Sequence, residues 1–402
     1  MKRIMLSVFA AAVTAAWVVP ASATDVTFSG QYRVRAEYRN NAVDYNDDTA
    51  DATNSTTQRV RLTATAEAAE DTTVKITLQD TRTFGSGLNS DTGNTLDFHE
   101  AYLNVEKIFG TPVDFRIGRQ ELAYGDERLI GAFGWSNNGR AFDGVKFSYK
   151  QEGLNVDLFQ MNISNDTDTS VPVTDDDTTL TGVYATLGQI IPNNTLDLYA
   201  INQNGNASTA LNFYTVGVRV KGAVAGLDYS LEVPYQFGEV SSTDVDLSAW
   251  ALAAKVGYTI PGAPMNVRIG AEFDMATGDE SGSTDENEAF QTLYPTNHNH
   301  FGIGDFTTAT NQWSNIQAWS INVAADVTEK VRLYAAYWNY KLDEEAAGED
   351  DLGSEIDLVA TYKYSNNVSL EVGASRFMPG DATQATPDDP ADWAYLQITA
   401  NF

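Results

Sequence analysis

Apolar and polar residues alternate over many long stretches of this chain, and this alternation constrains its fold more than any other feature. In the first stretch the two parities separate almost completely: Val26, Phe28, Tyr32, Val34, Ala36 and Tyr38 against Thr27, Ser29, Gln31, Arg33, Arg35, Glu37 and Arg39. The pattern recurs at residues 59–68 and at residues 393–402. Because successive side chains of a β-strand point to opposite faces, each stretch predicts a strand with one apolar and one polar side.

The alternation and the intervening turn residues predict eighteen strands. We place them at residues 25–39, 56–70, 72–83, 96–108, 112–120, 140–150, 153–164, 179–190, 193–203, 211–222, 226–238, 246–260, 263–276, 312–327, 328–341, 353–365, 366–379 and 391–402. The connections alternate between tight turns, such as Glu70-Asp71, and long polar loops, such as residues 40–55. This arrangement is typical of an all-β protein, a transmembrane antiparallel β-barrel with short periplasmic turns and long extracellular loops.

A soluble β-sandwich is the alternative, but the sequence argues against it. The strands exceed the usual five or six residues, and no apolar layer remains for a second sheet to cover. In lipid, an open sheet edge would leave backbone donors and acceptors unpaired, so the sheet is expected to close on itself. The apolar faces should then contact lipid, with aromatic residues at the two membrane surfaces, for which the candidates are Tyr149, Tyr258, Tyr364, Trp250, Trp319 and Trp338.

The first 23 residues have the features of a secretory signal. Lys2 and Arg3 precede an almost wholly apolar run at residues 4–19, and Ala21-Ser22-Ala23 fits the site that signal peptidase cleaves. A membrane anchor is the alternative, although the apolar run is short for a spanning helix. We therefore expect a signal peptide at residues 1–23, a single barrel domain at residues 24–402, and localisation in the outer membrane.

The composition argues against several functions. The chain has 25 Lys+Arg against 55 Asp+Glu, a formal net charge of -30, which opposes binding to nucleic acid. It has no cysteine, which excludes disulfides, thiol catalysis and cysteine-bound metals. The sequence contains no phosphate-binding loop motif, so direct coupling to ATP is not expected. We also expect no cofactor.

The positive charges are concentrated in the first third of the mature chain. The alternation directs seven of them toward the lumen: Arg33, Arg35, Arg59, Arg61, Lys75, Arg116 and Lys146. A row of fixed cations along one wall of a pore favours anions over cations. Acidic residues concentrate in the long loops, which we interpret as a solvated rim; binding of divalent cations by these carboxylates is the alternative, although no calcium-loop spacing is present.

Residues 116–144 contain a compound motif. A strand ends in Gly118-Arg119-Gln120, residues 124–131 read Tyr-Gly-Asp-Glu-Arg-Leu-Ile-Gly, Trp135 follows, and residues 140–144 read Arg-Ala-Phe-Asp-Gly. The glycine-rich loop between the two strands is long enough to fold inward and narrow a pore.

This motif resembles the alginate-export porin family. The resemblance implies a monomeric outer-membrane channel with an arginine-lined constriction that selects anionic polymers or small anions. It also implies that four residues shape that constriction: Arg119, Asp126, Arg128 and Arg140. Because Arg119 has the same parity as the lipid-facing Ile117, a β-bulge near Gly118 is expected to turn it inward.

A barrel of this kind could have one of three classes of function. The leading hypothesis is a passive diffusion channel for anionic solutes or anionic polysaccharide. An outer-membrane enzyme would have only His99, His298 and His300 as histidine bases, and no nucleophile motif accompanies them; the His298/His300 pair could also bind a transition metal. The third class is a structural or interaction barrel, such as a sheath around a partner protein.

The expected partners follow from these features. They are the lipid bilayer of the outer membrane and an anionic small molecule or polysaccharide, with no nucleic acid. Phe402, on the last lipid-facing step of the final strand, looks like the terminal signal that outer-membrane barrels present to their assembly machinery. We expect a monomer.

Overall fold

A computed structural model describes most of the chain: residues 25–49, 51–85, 96–164, 177–188, 192–205, 212–240, 245–280, 286–306, 313–383 and 388–402. The predicted signal peptide at residues 1–23 lies outside the described residues. Among the described residues, no helix is long and apolar enough to cross a membrane.

Nineteen strands in the described part of the chain form one sheet. They are β1 (Val26–Asn40), β2 (Thr53–Ala69), β3 (Thr72–Thr83), β4 (Leu96–Val105), β5 (Val113–Gln120), β6 (Phe142–Gln151), β7 (Leu154–Ser164), β8 (Thr178–Gly188), β9 (Asn194–Gly205), β10 (Asn212–Val224), β11 (Leu227–Glu239), β12 (Asp246–Thr259), β13 (Arg268–Ala276), β14 (Glu286–Asn287), β15 (Ile316–Asp326), β16 (Val331–Ala346), β17 (Glu349–Lys363), β18 (Val368–Pro379) and β19 (Ala391–Asn401). The two-residue β14 pairs in parallel with β12 and belongs to a loop. The other eighteen confirm the predicted strands.

These eighteen strands form a closed antiparallel barrel. Each strand pairs with its neighbours along the chain, and β1 completes the circle by pairing with β19 from Gln31↔Asn401 to Asn40↔Asp392. Two-residue connections at residues 70–71, 152–153 and 225–226 mark one end of the barrel, here named the turn end. The opposite end, named the loop end, carries the long connections.

One connection at the loop end differs from the prediction. The expected loop at residues 342–352 is a hairpin in which β16 and β17 continue to a two-residue turn at Ala347 and Gly348. Both residues have positive φ, 57° and 91°, as the tightest hairpin turns require. The long-short alternation of connections therefore has an exception here.

The two faces of the wall follow the predicted alternation. Outward side chains such as Phe28, Leu358 and Leu396 are exposed, whereas Arg33 and Arg59 point inward and are buried. Apolar residues exposed around the whole wall fit a barrel surrounded by hydrocarbon. Trp250, Trp319, Tyr258 and Tyr364 are exposed on this outer surface as predicted.

The prediction for Trp338 was wrong. This residue pairs with Ser320 on β15 and Glu355 on β17, both of which face the lumen and are buried. Its ring is only 4% exposed and stacks in parallel with Tyr340, with ring centroids 6.0 Å apart. Trp338 therefore packs inside the barrel, although its aromatic character alone would also fit the lipid surface.

The closing pair of strands ends in a tight contact between Gly30 and Phe402. The Gly30 N–H donates to the Phe402 carbonyl oxygen at 2.6 Å, and the Phe402 N–H donates to the Gly30 carbonyl oxygen at 3.0 Å. The Phe402 ring covers Gly30 so closely that a Cβ there would lie 2.5 Å from a ring carbon. Glycine at position 30 thus allows the last ring to pack on β1.

Leu396→Arg tests the assignment of the outer face. Leu396 lies near the middle of β19 and is exposed toward lipid, so a charge there should lower the free energy of unfolding by about 2–4 kcal/mol. Urea unfolding in phospholipid vesicles measures this change. The control is Gln397→Arg, one residue further, which faces the lumen opposite Glu371. Equal destabilisation by both variants would contradict the assignment.

Candidate functional site: two loops inside the barrel

The loop between β5 and β6, residues 121–141, folds into the barrel, and we name it the crossing loop. It buries its own apolar side chains inside the lumen: Leu122, Leu129 and Ile130. Gly125 and Gly139 turn the chain with φ of 60° and 70°. The free energy of these apolar side chains is lower when they are buried against the walls than when they are exposed to water, so the loop lies within the lumen.

Three of the predicted arginines hold the crossing loop against one wall. Arg33 donates to the carbonyl oxygens of Gly134 at 2.8 Å and Ser136 at 3.0 Å, and Arg59 donates to the same two oxygens at 3.0 and 2.9 Å. Arg35 donates to the Trp135 carbonyl at 3.0 Å, and its guanidinium carbon lies 3.9 Å from the Trp135 ring centroid. Their charges therefore position the loop and are largely covered by it.

Ion pairs hold the crossing loop against the opposite wall. Asp126 pairs closely with Arg219 of β10, which also binds Asp197 at 2.8 Å. Arg128 pairs closely with Glu272 of β13 and binds Asp274 at 2.8 Å. Asp126 of the loop thus pairs with a basic residue of the wall, and Arg128 of the loop pairs with acidic residues of the wall. These two opposite pairings fix how the loop is oriented across the lumen.

Burial and charge oppose one another at both loop residues. Burial acts to raise the pKa of the Asp126 carboxyl, but the charges of Arg219, Lys255 and Lys221 outweigh it and bring the pKa below its usual range. Burial likewise acts to lower the pKa of Arg128, and the carboxylates of Asp274 and Glu272 outweigh it and raise the pKa. Both loop residues are therefore charged at neutral pH.

The other predicted lumen residues contact wall and loop groups. Arg61 donates to Gln79 at 2.7 Å and Glu121 at 3.2 Å, and Lys75 pairs with Glu100 at 2.6 Å. Arg116 donates to Asn104 at 3.2 Å and lies over the Tyr102 ring, and Lys146 pairs with Asp157 at 3.2 Å. Lys75 is the more accessible of the two lysines, with 29% of its side chain exposed against 16% for Lys146.

Arg119 does not lie where the resemblance implied. Over their described residues, β4, β5 and β6 pair without a register shift at Gly118, so the expected bulge is missing. Arg119 therefore keeps the outward parity of Ile117 and binds Asp143, its cross-strand neighbour, at 2.7 Å. Gly118 adopts a φ of 125°, and a Cβ there would collide with the Ala101 carbonyl of β4, so the position requires glycine.

A second loop, between β13 and β15, also enters the barrel, and we name its described residues 277–280, 286–306 and 313–315 the second inner loop. Its Tyr294 N–H donates to the Leu129 carbonyl at 2.7 Å and its Thr296 N–H donates to the Glu127 carbonyl at 2.8 Å. Arg140 joins the two loops, donating to the carbonyls of Tyr294 and Pro295, the latter at 2.8 Å. The two loops therefore form one internal body.

The sequence predicted this second loop only as a polar, acidic connection. The available signal was its aromatic content, since four of its aromatic side chains are buried: Phe290, Phe301, Phe306 and Trp313. A loop that stays in water has little reason to carry so many large apolar groups.

His298 and His300 pack within this internal body. His298 stacks on Trp135 with ring centroids 3.7 Å apart and lies 2.9 Å from Asp305, while His300 contacts the Asp126 carbonyl at 3.0 Å. Burial, together with Arg128 and Lys255, lowers the pKa of His300 well below its usual value, so it is neutral. His99 contacts Glu121 at 2.6 Å. In the described part of the chain, no three His, Cys, Asp or Glu side chains are grouped to hold a metal ion.

Acidic residues line the wall opposite the basic strands. The sequence prediction placed acids only in the long loops and did not include these. Asp197, Glu232, Asp274, Glu355 and Asp357 face the lumen and are buried, and Glu272 faces the lumen with 10% of its side chain exposed. Glu355 and Asp357 accept the backbone N–H groups of Gly304 at 2.9 Å and Ile303 at 3.2 Å, which anchors the second inner loop. Their parity within the alternating strands would have identified them as lumen residues.

Two cavities lie beside the inner loops. One of about 420 Å³ is bordered by the crossing loop and by β10 to β13, and the other, of about 230 Å³, is bordered by the second inner loop and extends toward β15, β16 and β17. They share Lys255, Arg268 and Asn299 as lining residues. Polar space therefore remains inside the barrel beside the two loops.

A closed barrel with an apolar outer surface, a charged lumen and inward-folded loops defines the class of outer-membrane porins. The family model for alginate export matches residues 24–395, and the chain belongs to this family. No curated protein matches the chain significantly.

Solved structures support the same architecture. A BenF-like porin from Pseudomonas fluorescens Pf-5 superposes with a TM-score of 0.66 at 11% identity, over 94% of this chain and 98% of that one. Pseudomonas aeruginosa OpdO gives 0.66 at 12% identity, covering 94% and 97%. OccAB2 of Acinetobacter baumannii gives 0.64 at 11% identity, covering 95% and 99%. At such identities the likeness shows the fold alone, and the turn end corresponds to the periplasmic end of this class.

Arg128→Met tests how the crossing loop is held. The substitution leaves Glu272 and Asp274 buried beside a missing guanidinium, so the free energy of unfolding should fall by about 3–5 kcal/mol and the loop should loosen. Urea unfolding in vesicles and single-channel conductance measure the two effects. Arg119→Met is the matched control, because its exposed pair with Asp143 should change stability by about 1 kcal/mol or less. Similar losses in both variants would show that the buried pair does not hold the loop.

Proposed function

We propose that this outer-membrane channel conducts anionic solutes or short anionic polysaccharide by passive diffusion. The observation that carries the proposal is the separation of charge across the lumen. Basic residues predominate on the lumen faces of β1 to β6, whereas on those of β9 to β17 the acids outnumber the bases, which include Arg219, Lys221, Lys255 and Arg268. A solute between the two walls is in a transverse field, in which an anion moves toward the basic wall.

The covered and accessible cations have different roles in this proposal. Arg33, Arg35 and Arg59 set the position of the crossing loop and thereby the width of the passage. Lys75 and Arg116 keep part of their charge accessible and interact with the passing anion. Arg128 and Arg140 act indirectly, since both are engaged by acids or carbonyl groups of the internal body.

A neighbouring fold is consistent with this class of solute. The structure of Pseudomonas aeruginosa OpdK with vanillate, an aromatic carboxylate, superposes with a TM-score of 0.62 at 12% identity. The alternative, a sheath around a partner protein, is less favoured because the chain's own loops occupy the space that a partner would need.

The remaining expectations belong to the same proposal. The signal at residues 1–23 would direct export across the inner membrane. Phe402, exposed on the outer face at the end of the last strand, would contact the barrel-assembly machinery. The channel would function as a monomer and without catalysis.

Reversal potentials in a planar bilayer under a KCl gradient test the proposal. The unmodified channel should be anion-selective, and addition of alginate oligosaccharide should block its current. The double substitution Lys75→Gln with Arg116→Gln should lower the anion-to-cation permeability ratio about two- to threefold, since each partly exposed charge contributes a fraction of a kcal/mol.

The control for this measurement is Lys107→Gln, in a turn-end connection, where the lysine pairs with Asp71 outside the lumen. This variant should keep the permeability ratio of the unmodified channel. Cation selectivity of the unmodified channel would refute the proposal. An equal shift in the control and the double variant would remove Lys75 and Arg116 from the ion path.

A further inference from the structure

The cavity of about 420 Å³ lies on the periplasmic side of the crossing loop. Arg219, which anchors the loop, is two residues from Lys221, and Lys221 is closer to the periplasmic turn at residues 225–226. Lys221 and Lys255 both line the cavity, as do Gly125 and Asp126 from the loop above. A solute that has passed the crossing loop therefore meets this space next.

Two lysines and a serine form one row on the wall of this cavity. Lys221 of β10 pairs in register with Ser230 of β11, and Ser230 pairs in register with Lys255 of β12. All three face the lumen, and the two lysine Cα atoms are separated by two strand spacings, about 10 Å. The row places two ammonium groups on either side of one hydroxyl group, which donates to an Asp126 carboxylate oxygen at 3.4 Å.

The charge of Lys221 is only partly compensated. Its side chain is 61% exposed, and its ammonium lies 3.7 Å from an Asp126 oxygen that already binds Arg219. Lys255 lies 3.0 Å from Glu272, which is shared with Arg128. Each lysine thus pairs with a carboxylate that makes a shorter contact to an arginine. The lysine charge is therefore only partly neutralised and still attracts a further negative group.

Acids border the same cavity and limit how much negative charge it can accept. Asp228 binds Arg268 through two contacts, at 2.7 and 2.8 Å, yet 43% of its side chain is exposed. Asp126 and Glu127 line the cavity from the crossing loop. One negative charge can reach the lysine row, whereas a second charge on the same small solute would lie close to these carboxylates.

We propose that this cavity is a second anion site, in which Lys221 and Lys255 bind the carboxylate of a small monoanion and Asp228 disfavours dianions. The inference rests on the proposed function, because it names the charge class of the solute that the channel releases to or takes from the periplasm. Asn299, from the second inner loop, also lines the cavity and offers a neutral amide to the rest of the solute. The site differs from the basic wall in position, since its side chains come from β10 to β12.

Current block by a matched pair of solutes tests the site. Succinate and its monoamide, succinamate, have nearly the same size and differ by one negative charge at neutral pH. Added on the periplasmic side of single channels in 1 M KCl, succinamate should reach half-block at about fivefold lower concentration than succinate. Lys221→Gln should raise the half-blocking concentration of succinamate about fivefold, and Asp228→Asn should narrow the gap between the two solutes.

The controls use the exposed pair at another turn. Lys107→Gln and Asp71→Asn remove the same charges outside the lumen and should leave both half-blocking concentrations unchanged. Equal block by succinate and succinamate, or equal effects of Lys221→Gln and Lys107→Gln, would overturn the second site. The reversal potential in a KCl gradient separates the two proposals: cation selectivity refutes the anion channel itself, whereas anion selectivity without the predicted block refutes only this site.

Discussion

The need to pair every backbone N–H and C=O group inside hydrocarbon governs the rest of this structure. An open sheet would leave one edge unpaired in lipid, so β19 returns to β1 and each long strand has two neighbours. Closure then gives each strand one face toward lipid and one toward the lumen. The apolar parity surrounds the barrel, and the charged groups on the other parity lie inside it, where many of them pair with one another. The internal ion pairs are thus a consequence of how the wall is built.

Much of this was accessible from the sequence because it depends on local pattern. A period of two residues identifies both the strand and the direction of each side chain, so all eighteen strands and the inward position of Arg33 and Arg59 could be predicted. The glycines and the compound motif of residues 116–144 also indicated that one loop folds inward. The prediction for Arg119 was wrong because it departed from this alternation. It placed a β-bulge near Gly118, whereas β5 pairs with β6 without a register shift.

The arrangement inside the barrel could not be predicted, because it depends on contacts between distant residues. Arg128 meets Glu272 across 144 positions in the sequence, and no local property of either residue indicates the other. Trp338 fits lipid and lumen equally well as an aromatic side chain, and only its parity within β16 decides. The second inner loop likewise needed its partner, since Tyr294 pairs with Leu129 of the crossing loop. A single sequence does not show which residues of the two loops contact each other, and the prediction lacked this information.

The contact between Gly30 and Phe402 has a consequence for the order of events during biogenesis. Side chains at the closing strands meet across 370 positions, as Gln31 and Asn401 do, so the two ends of the barrel wall come from opposite ends of the chain. Among the eighteen wall strands that the structure describes, every other pair forms between strands that follow each other along the polypeptide. A chain that still lacks its last strand can therefore form its hairpins in sequence but cannot close the barrel. Until β19 pairs with it, one edge of β1 has no strand partner, and the backbone groups of that edge cannot be satisfied in hydrocarbon.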